Sequence, residues 1–341
     1  MKMSVLSPTT LDTYPATDRW GIEDAVMGFT QQTTNRFTQV AMPLVSVVIP
    51  VFNDGDALTF CLAALMAQTY PKDRYEIIVV DNGSQEDIQS ILRDFGNVVL
   101  AHETCPSSHA ARNRGIALAK GEIIAFVDAD CIPALDWLAN GVKRLTQTPN
   151  CGLVAGKVEF FFECAQQPTV AELYDSMTFL QQEKHIEEAG WGATANLMTF
   201  KHIIESVGHF DPTLTSIGDV EWGRRVTTQG YQAAYAESSC VYYPARPTLK
   251  AVYEKIRRIE GSRFQAQIGS RLSLYAFAIG IFKIWMRLRP PLRSATYKSF
   301  LEPRFEKPQH KIQVFLFITG VHYAVVVELC RILLGGEPRS A

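Results

Sequence analysis

"GEIIAFVDADCIPALDWL", residues 121–138, runs from a segment that only a buried strand can absorb straight into two acids. Ile123 to Val127 are five consecutive apolar residues, the length of a strand and too short for a typical helix. Asp128 and Asp130 follow at once with only Ala129 between them. Two carboxylates held that close at the tip of a buried strand repel each other unless a cation settles them. An ordinary alternative is that one acid caps the helix opened by "PALDWL" (133–138) while the other is solvated. The neighbouring segments decide between the two.

Upstream, "LVSVVIPVF" (44–52), "YEIIVVD" (75–81) and "NVVLAH" (97–102) are further strand-length apolar runs. Between them lie "DALTFCLAALMAQTY" (56–70), "DIQSILRDF" (87–95) and "SSHAARNRGIALAK" (107–120), which read as helices. Strands alternating with helices predict an α/β fold with a Rossmann-like, mostly parallel sheet covered on both faces. In such sheets ligands gather outside the carboxyl ends of the strands. Asn53 and Asp54, Asp81 and Asn82, and Asp128 and Asp130 all stand at such ends, so the fold should bring them to one crevice. That convergence favours a hard divalent cation, Mg²⁺ or Mn²⁺, which takes few carboxylates and completes its shell with water and phosphate oxygens. Neither a GxxxxGK[ST] loop nor a GxGxxG after the first strand is present, so a diphosphate would need the metal and a basic side chain such as Arg112 or Arg114.

Composition sets wider bounds. The 341 residues allow one large domain and an appendage, and 47% apolar residues provide ample core. A net charge of -2 gives no support for nucleic-acid binding. Seven cysteines without CxxC or Cys/His spacing point to a reducing, cytoplasmic compartment and away from a zinc site. The seven histidines show no metal-ligand spacing either. Residues 1–43 are mixed and polar without a secretory pattern and are expected to form a weakly structured extension.

Beyond residue 150 the alternation loosens. "CGLVAGKVEFFF" (151–162) reads as a strand, "VAELYDSMTFLQQEKHI" (170–186) as one helix, and "DVEWGRRVTTQG" (219–230) as a short helix closed by Gly230. Trp191 and Trp222 suit either a sugar-stacking wall or the core. After Pro247, "YEKIRRIEGSRFQAQIGSRL" (253–272) is basic, while "SLYAFAIGIFKIWMRLRP" (273–290) and "VFLFITGVHYAVVVELCRILL" (314–334) are apolar with scattered charges. These segments read either as ordinary packed helices or as interfacial helices on the inner, anionic face of a membrane. A true span over 314–334 is disfavoured by its charges.

Four blocks then carry a resemblance: "VSVVIPVFN", "IIVVDNGSQED", "HAARNRGIALAKGEIIAFVDADCIP" and "GATANLMTFKHIIESVGHFDPTLTSIGDVEWGRRVTTQGY". In this order and spacing they resemble the family 2 glycosyltransferases, whose catalytic domain has the GT-A fold. The likeness covers roughly residues 44–245, leaving 1–43 as an extension and 246–341 as a helical C-terminal region. It implies an inverting transfer of a sugar from a nucleotide-sugar donor, a UDP-sugar in the usual case, to a saccharide or lipid-linked acceptor. Pro50, Phe52 and Asn53 match the first nucleotide-contact block, and Asp81 the acid that recognises the base. Arg112 and Asn113 match the block beside the nucleotide. Asp128 and Asp130 match the metal-binding DxD motif, the second acid usually on the metal and the first near the ribose or metal. Asp219 matches the second acid of the "ED" pair and is the implied base, with Trp222 and Arg225 on the following helix shaping the acceptor or diphosphate site.

One departure stands out. Where the family often has Glu-Asp, this chain has Gly218-Asp219. Asp219 alone reads as a helix N-cap or as a base, and Glu221 is an alternative base. A non-catalytic nucleotide-sugar-binding protein and, last, a sugar-phosphate nucleotidyltransferase remain the competing functions.

Overall fold

The computed structural model describes residues 42–214, 216–268, 274–291 and 308–334. Most of the expected N-terminal extension lies outside these residues.

Four strands, β1 (Val45–Val51), β2 (Tyr75–Asp81), β3 (Val98–His102) and β4 (Ile123–Val127), pair in parallel in the order β3-β2-β1-β4. Helices α1 (Gly55–Met66), α2 (Ile88–Leu92) and α3 (Ser108–Leu118) connect them. The apolar runs do not alternate because both faces are covered. Along β4, Ile123, Ala125 and Val127 enter one core cluster, while Ile124 and Phe126 enter the other.

Beyond β4 the sheet becomes mixed. Five more elements follow in chain order: β5 (Ile132–Pro133), α4 (Trp137–Gln147), β6 (Cys151–Phe161), α5 (Val170–Thr178) and α6 (Gln182–Ala189). Then come β7 (Asn196–Phe200), α7 (Lys201–Val207), α8 (Gly218–Thr228) and β8 (Gln232–Pro244). The full order is β3-β2-β1-β4-β7-β6-β8-β5, with β7 antiparallel to both β4 and β6. Strands β6 and β8 pair in parallel again, so the antiparallel pairings are those of β7 and of the short β5 on β8.

The single helix expected over 170–186 is two. It breaks at Leu180, whose φ of 52° is left-handed. Contacts on both sides hold the break. Gln182, buried at the start of α6, accepts the Ala193 N–H at 2.8 Å and donates to the Ala193 and Asn196 carbonyls. On the other side the Lys255 ammonium sits 4.2 Å above the Phe179 ring.

Three C-terminal helices complete the described chain: α9 (Leu249–Ile268), α10 (Leu274–Arg287) and α11 (Pro308–Leu333). Val252 of α9, Tyr174 of α5 and Val314 and Ile318 of α11 share a small core. This packing draws the C-terminal helices over the end of the sheet where the strand tips lie.

Candidate active site

A cavity of about 950 Å³ opens at the carboxyl ends of β1 and β4, roofed by α9 and α11. Pro50, Phe52, Asn82, Arg112, Asp128, Asp130 and Asp219 line it. Three acids spread over 91 residues of sequence thus line one cavity, because strand tips and the start of α8 converge there.

The chain reverses directly after β4. The Cys131 N–H donates to the Asp128 carbonyl at 3.1 Å, closing a turn that carries both acids. Asp128 accepts from the Arg112 guanidinium at 2.5 Å, and Arg112 is itself buried. Asp130 has no such partner among the described residues; the Cys131 thiol lies 3.9 Å from its Oδ1. Desolvation, then Asp128 and Asp54, push its carboxyl up to about 7, against the pull of Arg246 and Lys255. A recessed carboxylate with like charges on two sides and only a weak thiol donor among the described residues is the environment a hard cation relieves. The two carboxylates are thus of the chemistry a divalent ion takes, and Asp130 and Asp128 are the residues that would hold one.

Asp219 stands in the first turn of α8, whose N-cap is Ile217. The N-cap alternative for Asp219 therefore does not hold. Its Oδ1 accepts the Val220 N–H at 2.8 Å. Burial lifts the carboxyl to about 6, opposed by that N–H and by Arg112. Glu221, the alternative base, is absent from the cavity wall and pairs with Arg225 at 2.6 Å.

Five of the residues expected at the site do not reach the cavity wall. Asn53, with φ 49°, ties the β1 tip to the β2 loop; its N–H donates to Ser84 Oγ at 2.9 Å and its Oδ1 accepts the Gln85 N–H at 2.7 Å. Asp81, at the end of β2, accepts the Ser84 N–H at 2.9 Å, and its neighbour Asn82 takes the wall position. Asn113 brackets Phe210, donating to its carbonyl at 2.8 Å and accepting its N–H at 3.1 Å. Trp222 is fully buried and donates to the Gly208 carbonyl at 2.9 Å. Arg225 donates to the carbonyls of Val207 and His209 at 2.9 and 2.7 Å. Trp222 and Arg225 thus bond the turn behind the site and do not line the cavity. Together with Asn113 they clamp the 207–210 turn from behind. Arg114 points to solvent on the exposed face of α3.

The roof escaped the reading of the sequence. Arg246, Lys255 and Arg258 line the cavity, so part of the basic segment attributed to a membrane faces inward instead. Asp175 of α5, fully buried, accepts from Lys255 at 3.2 Å, from the Arg246 N–H at 3.1 Å and from its guanidinium at 3.5 Å. Arg258 Nε has no partner among the described residues. One acid therefore serves two cations, and the roof presents excess positive charge across from Asp130. The i,i+3 spacing of Lys255 and Arg258 was the available signal; what concealed the direction of Lys255 is that its partner Asp175 lies 80 residues away. Removing the shared acid, Asp175→Ala, is expected to lower unfolding stability by about 3 kcal/mol, since it leaves buried cations uncompensated. Urea denaturation measures this, and a change within about 0.5 kcal/mol, the ordinary range for a surface substitution, would contradict it. Trp191 also lines the cavity and stacks on His185, their ring centroids 4.0 Å apart.

Comparison with known proteins agrees with this layout. The family model described as Glycosyl transferase family 2 matches residues 46–212. The chain is 38% identical over 247 residues to glycosyltransferase AglE of Haloferax volcanii, covering 71% of this chain and 80% of that one. It is 28% identical over 216 residues to the pre-mycofactocin glycosyltransferase of Mycobacterium tuberculosis, covering 60% of this chain and 44% of the relative. Among solved structures it shares its fold with the mannosyltransferase PcManGT from Pyrobaculum calidifontis, determined in complex with GDP-Man and Mn²⁺, at a TM-score of 0.57 and 20% identity over 87% of this chain and 88% of that one. The strand order, the acids at the strand tips and these matches agree in one assignment: the chain belongs to the family 2 glycosyltransferases and has the GT-A fold.

Proposed function

We propose that the protein transfers a sugar, with inversion, from a nucleoside-diphosphate sugar to a hydroxyl of a saccharide or lipid-linked acceptor. The observation that carries this reading is the single cavity that holds Asp128, Asp130 and Asp219 beneath a basic roof. In this reading residues 44–245 form the catalytic domain and 246–341 the helical region that completes it. UDP-sugars lead the donors to test, and GDP-mannose joins them because the fold neighbour was solved with GDP-Man and Mn²⁺.

Each side chain then has a separate task. Asp130 and Asp128 would hold Mn²⁺ or Mg²⁺, which when bound neutralises charge on the diphosphate leaving group. Arg112 fixes the Asp128 carboxylate in place at the cavity wall. Lys255, Arg246 and Arg258 supply positive charge from the roof as the leaving group develops negative charge. Asp219, which forms no ion pair among the described residues, takes the proton of the attacking hydroxyl. Its fixed place at the start of α8 holds the base in line with the reacting centre, which supplies part of the acceleration.

Labelled UDP-glucose, UDP-N-acetylglucosamine and GDP-mannose, incubated with the protein and a total lipid and saccharide extract, test this. Metal-dependent transfer from one donor is the expected result. Nucleoside triphosphate consumption with pyrophosphate release, and no transfer, would replace this reading with the nucleotidyltransferase.

The C-terminal helices add a second expectation. Helix α10 exposes Ile281, Phe282, Trp285 and Met286, and α11 exposes Ile312, Leu316 and Val327. The Arg289 guanidinium lies 5.5 Å from the centre of the Trp285 ring. Aromatic and aliphatic side chains beside arginine suit an anionic membrane surface. Helix α11 is long and apolar enough to cross a bilayer. Its other face, however, packs through Val314, Ile318, Val325 and Leu329, and its buried Glu328 pairs with Arg257 and Arg331. Peripheral docking follows from that arrangement. The pair Phe282→Ser and Trp285→Ser is expected to reduce co-sedimentation with anionic vesicles at least about fivefold. Unchanged sedimentation would remove the membrane from the account.

A further inference from the structure

The departure at residue 218 has a physical counterpart. A Cβ placed on Gly218 would stand 2.1 Å from Cδ2 and 2.2 Å from Nε2 of His109. The imidazole fills the volume that any side chain at 218 would need. His109, in the first turn of α3, is only 4% exposed, yet it lines the cavity. Its ring meets Phe210 edge-on at 5.9 Å between centroids, and Phe210 rests on Phe126 at 5.4 Å and Trp222 at 5.2 Å. This is the same turn that Asn113, Trp222 and Arg225 clamp. The three residues that do not reach the cavity therefore fix the position of one that does.

Burial and the nearby Arg112 push the His109 imidazole down to about 3, so it is neutral at physiological pH, with one donor and one acceptor nitrogen. Its Nδ1 has no partner among the described residues. The same holds for the hydroxyls of Ser107, which is 9% exposed, and Ser216. All three residues, like Asp219, line the cavity. Buried polar atoms are almost always paired, and leaving one unpaired is costly. Three buried, unpaired polar atoms on residues that line one cavity would be satisfied by a ligand rich in hydroxyls.

We infer that Ser107, His109 and Ser216 form the subsite that reads hydroxyls of the donor's transferred sugar, with His109 in the place of an acidic side chain at 218. The donor is favoured over the acceptor because α3 also carries Arg112, which holds Asp128, and because α3 covers the parallel half of the sheet that bears Pro50, Phe52 and Asn82. The subsite rests on the glycosyl-transfer reading and specifies which residues choose its sugar.

Calorimetric titration in Mn²⁺ separates the two claims. UDP, GDP, UDP-glucose, UDP-N-acetylglucosamine and GDP-mannose are titrated into wild type, His109→Ala, His109→Gln, Gly218→Glu and the double variant His109→Gly/Gly218→Glu, with each variant's thermal unfolding recorded. His109→Ala is expected to weaken the sugar nucleotide that wild type prefers by about tenfold, the loss of one buried hydrogen bond, while the matching diphosphate changes less than about twofold. His109→Gln, which keeps an acceptor and a donor, recovers most of the loss. Gly218→Glu ejects the ring and weakens the sugar nucleotide as strongly, and the double variant binds it better than either Gly218→Glu or His109→Ala. The subsite is overturned by a wild type that binds no sugar nucleotide more tightly than its diphosphate, by equal losses for diphosphate and sugar nucleotide, or by a double variant no better than the singles. Failure of the wild type to bind any of the five ligands overturns the glycosyl-transfer reading itself.

Discussion

Replacing Asp130 with asparagine is expected to abolish sugar transfer and, at the same time, to stabilise the metal-free protein. The two effects have one cause. In the absence of a cation Asp130 is recessed, has only a thiol 3.9 Å away, and faces the charges of Asp128 and Asp54. Its carboxyl is raised to about 7 in the folded chain, against a usual value near 3.8. The folded state thus binds more protons than the unfolded one between those values, and this group makes stability fall as pH rises from about 4 to about 7. Above pH 7 its destabilisation is complete. Asparagine removes the charge, so metal-free Asp130→Asn should melt several degrees higher at pH 8 and show a shallower fall of stability over that pH range. With Mn²⁺ the order reverses: wild type gains stability from the ion and the variant does not. Transfer should fall at least about a thousandfold, since a bound cation is worth several kcal/mol of charge stabilisation on a leaving diphosphate. A variant that melts lower without metal, or that keeps its activity, would separate Asp130 from the metal role.

The second large effect belongs to Asp219→Asn. This variant should bind nucleoside diphosphate and Mn²⁺ as wild type does, because Asp219 has no part in holding either. Its turnover should drop by about 10²–10⁴, the usual worth of a positioned base. In wild type, burial lifts the carboxyl to about 6, so the rate should fall as pH drops through that value and the base becomes protonated. A cation bound nearby moves this limb downward, never upward, because positive charge favours the carboxylate. Glu221→Gln should leave that limb in place, since Glu221 pairs with Arg225 away from the cavity. An acid limb that survives Asp219→Asn would assign the base elsewhere.

The parallel half of the sheet was legible in the sequence for a specific reason. Runs such as Val45–Val51 and Ile123–Val127 are apolar without alternation, which only strands covered on both faces can be. The acids at their tips were legible too, because a strand end fixes where the next side chains go. Helical side chains gave no such guide. Trp222 and Arg225 lie on α8 within six residues of Asp219, yet they turn to the 207–210 turn, whereas Asp219 faces the cavity. Residue type alone could not distinguish a tryptophan that stacks on sugar from one that backs a histidine. The basic roof was hidden for a related reason. Lys255 turns inward to reach Asp175, a partner set by the packing of α9 on α5 and invisible to any local pattern. Gly218 read as a missing acid; only the structure reveals that the His109 ring fills the space.

The central claim, that a cation gripped by Asp128 and Asp130 tethers the donor through its diphosphate, meets its most direct test in one titration. UDP and GDP are added to wild type by calorimetry, first in EDTA and then in Mn²⁺. The account predicts that one of them binds at least about tenfold more tightly with the ion than without it, and that Asp130→Asn erases the difference. Equal affinity in EDTA and in Mn²⁺ would contradict it.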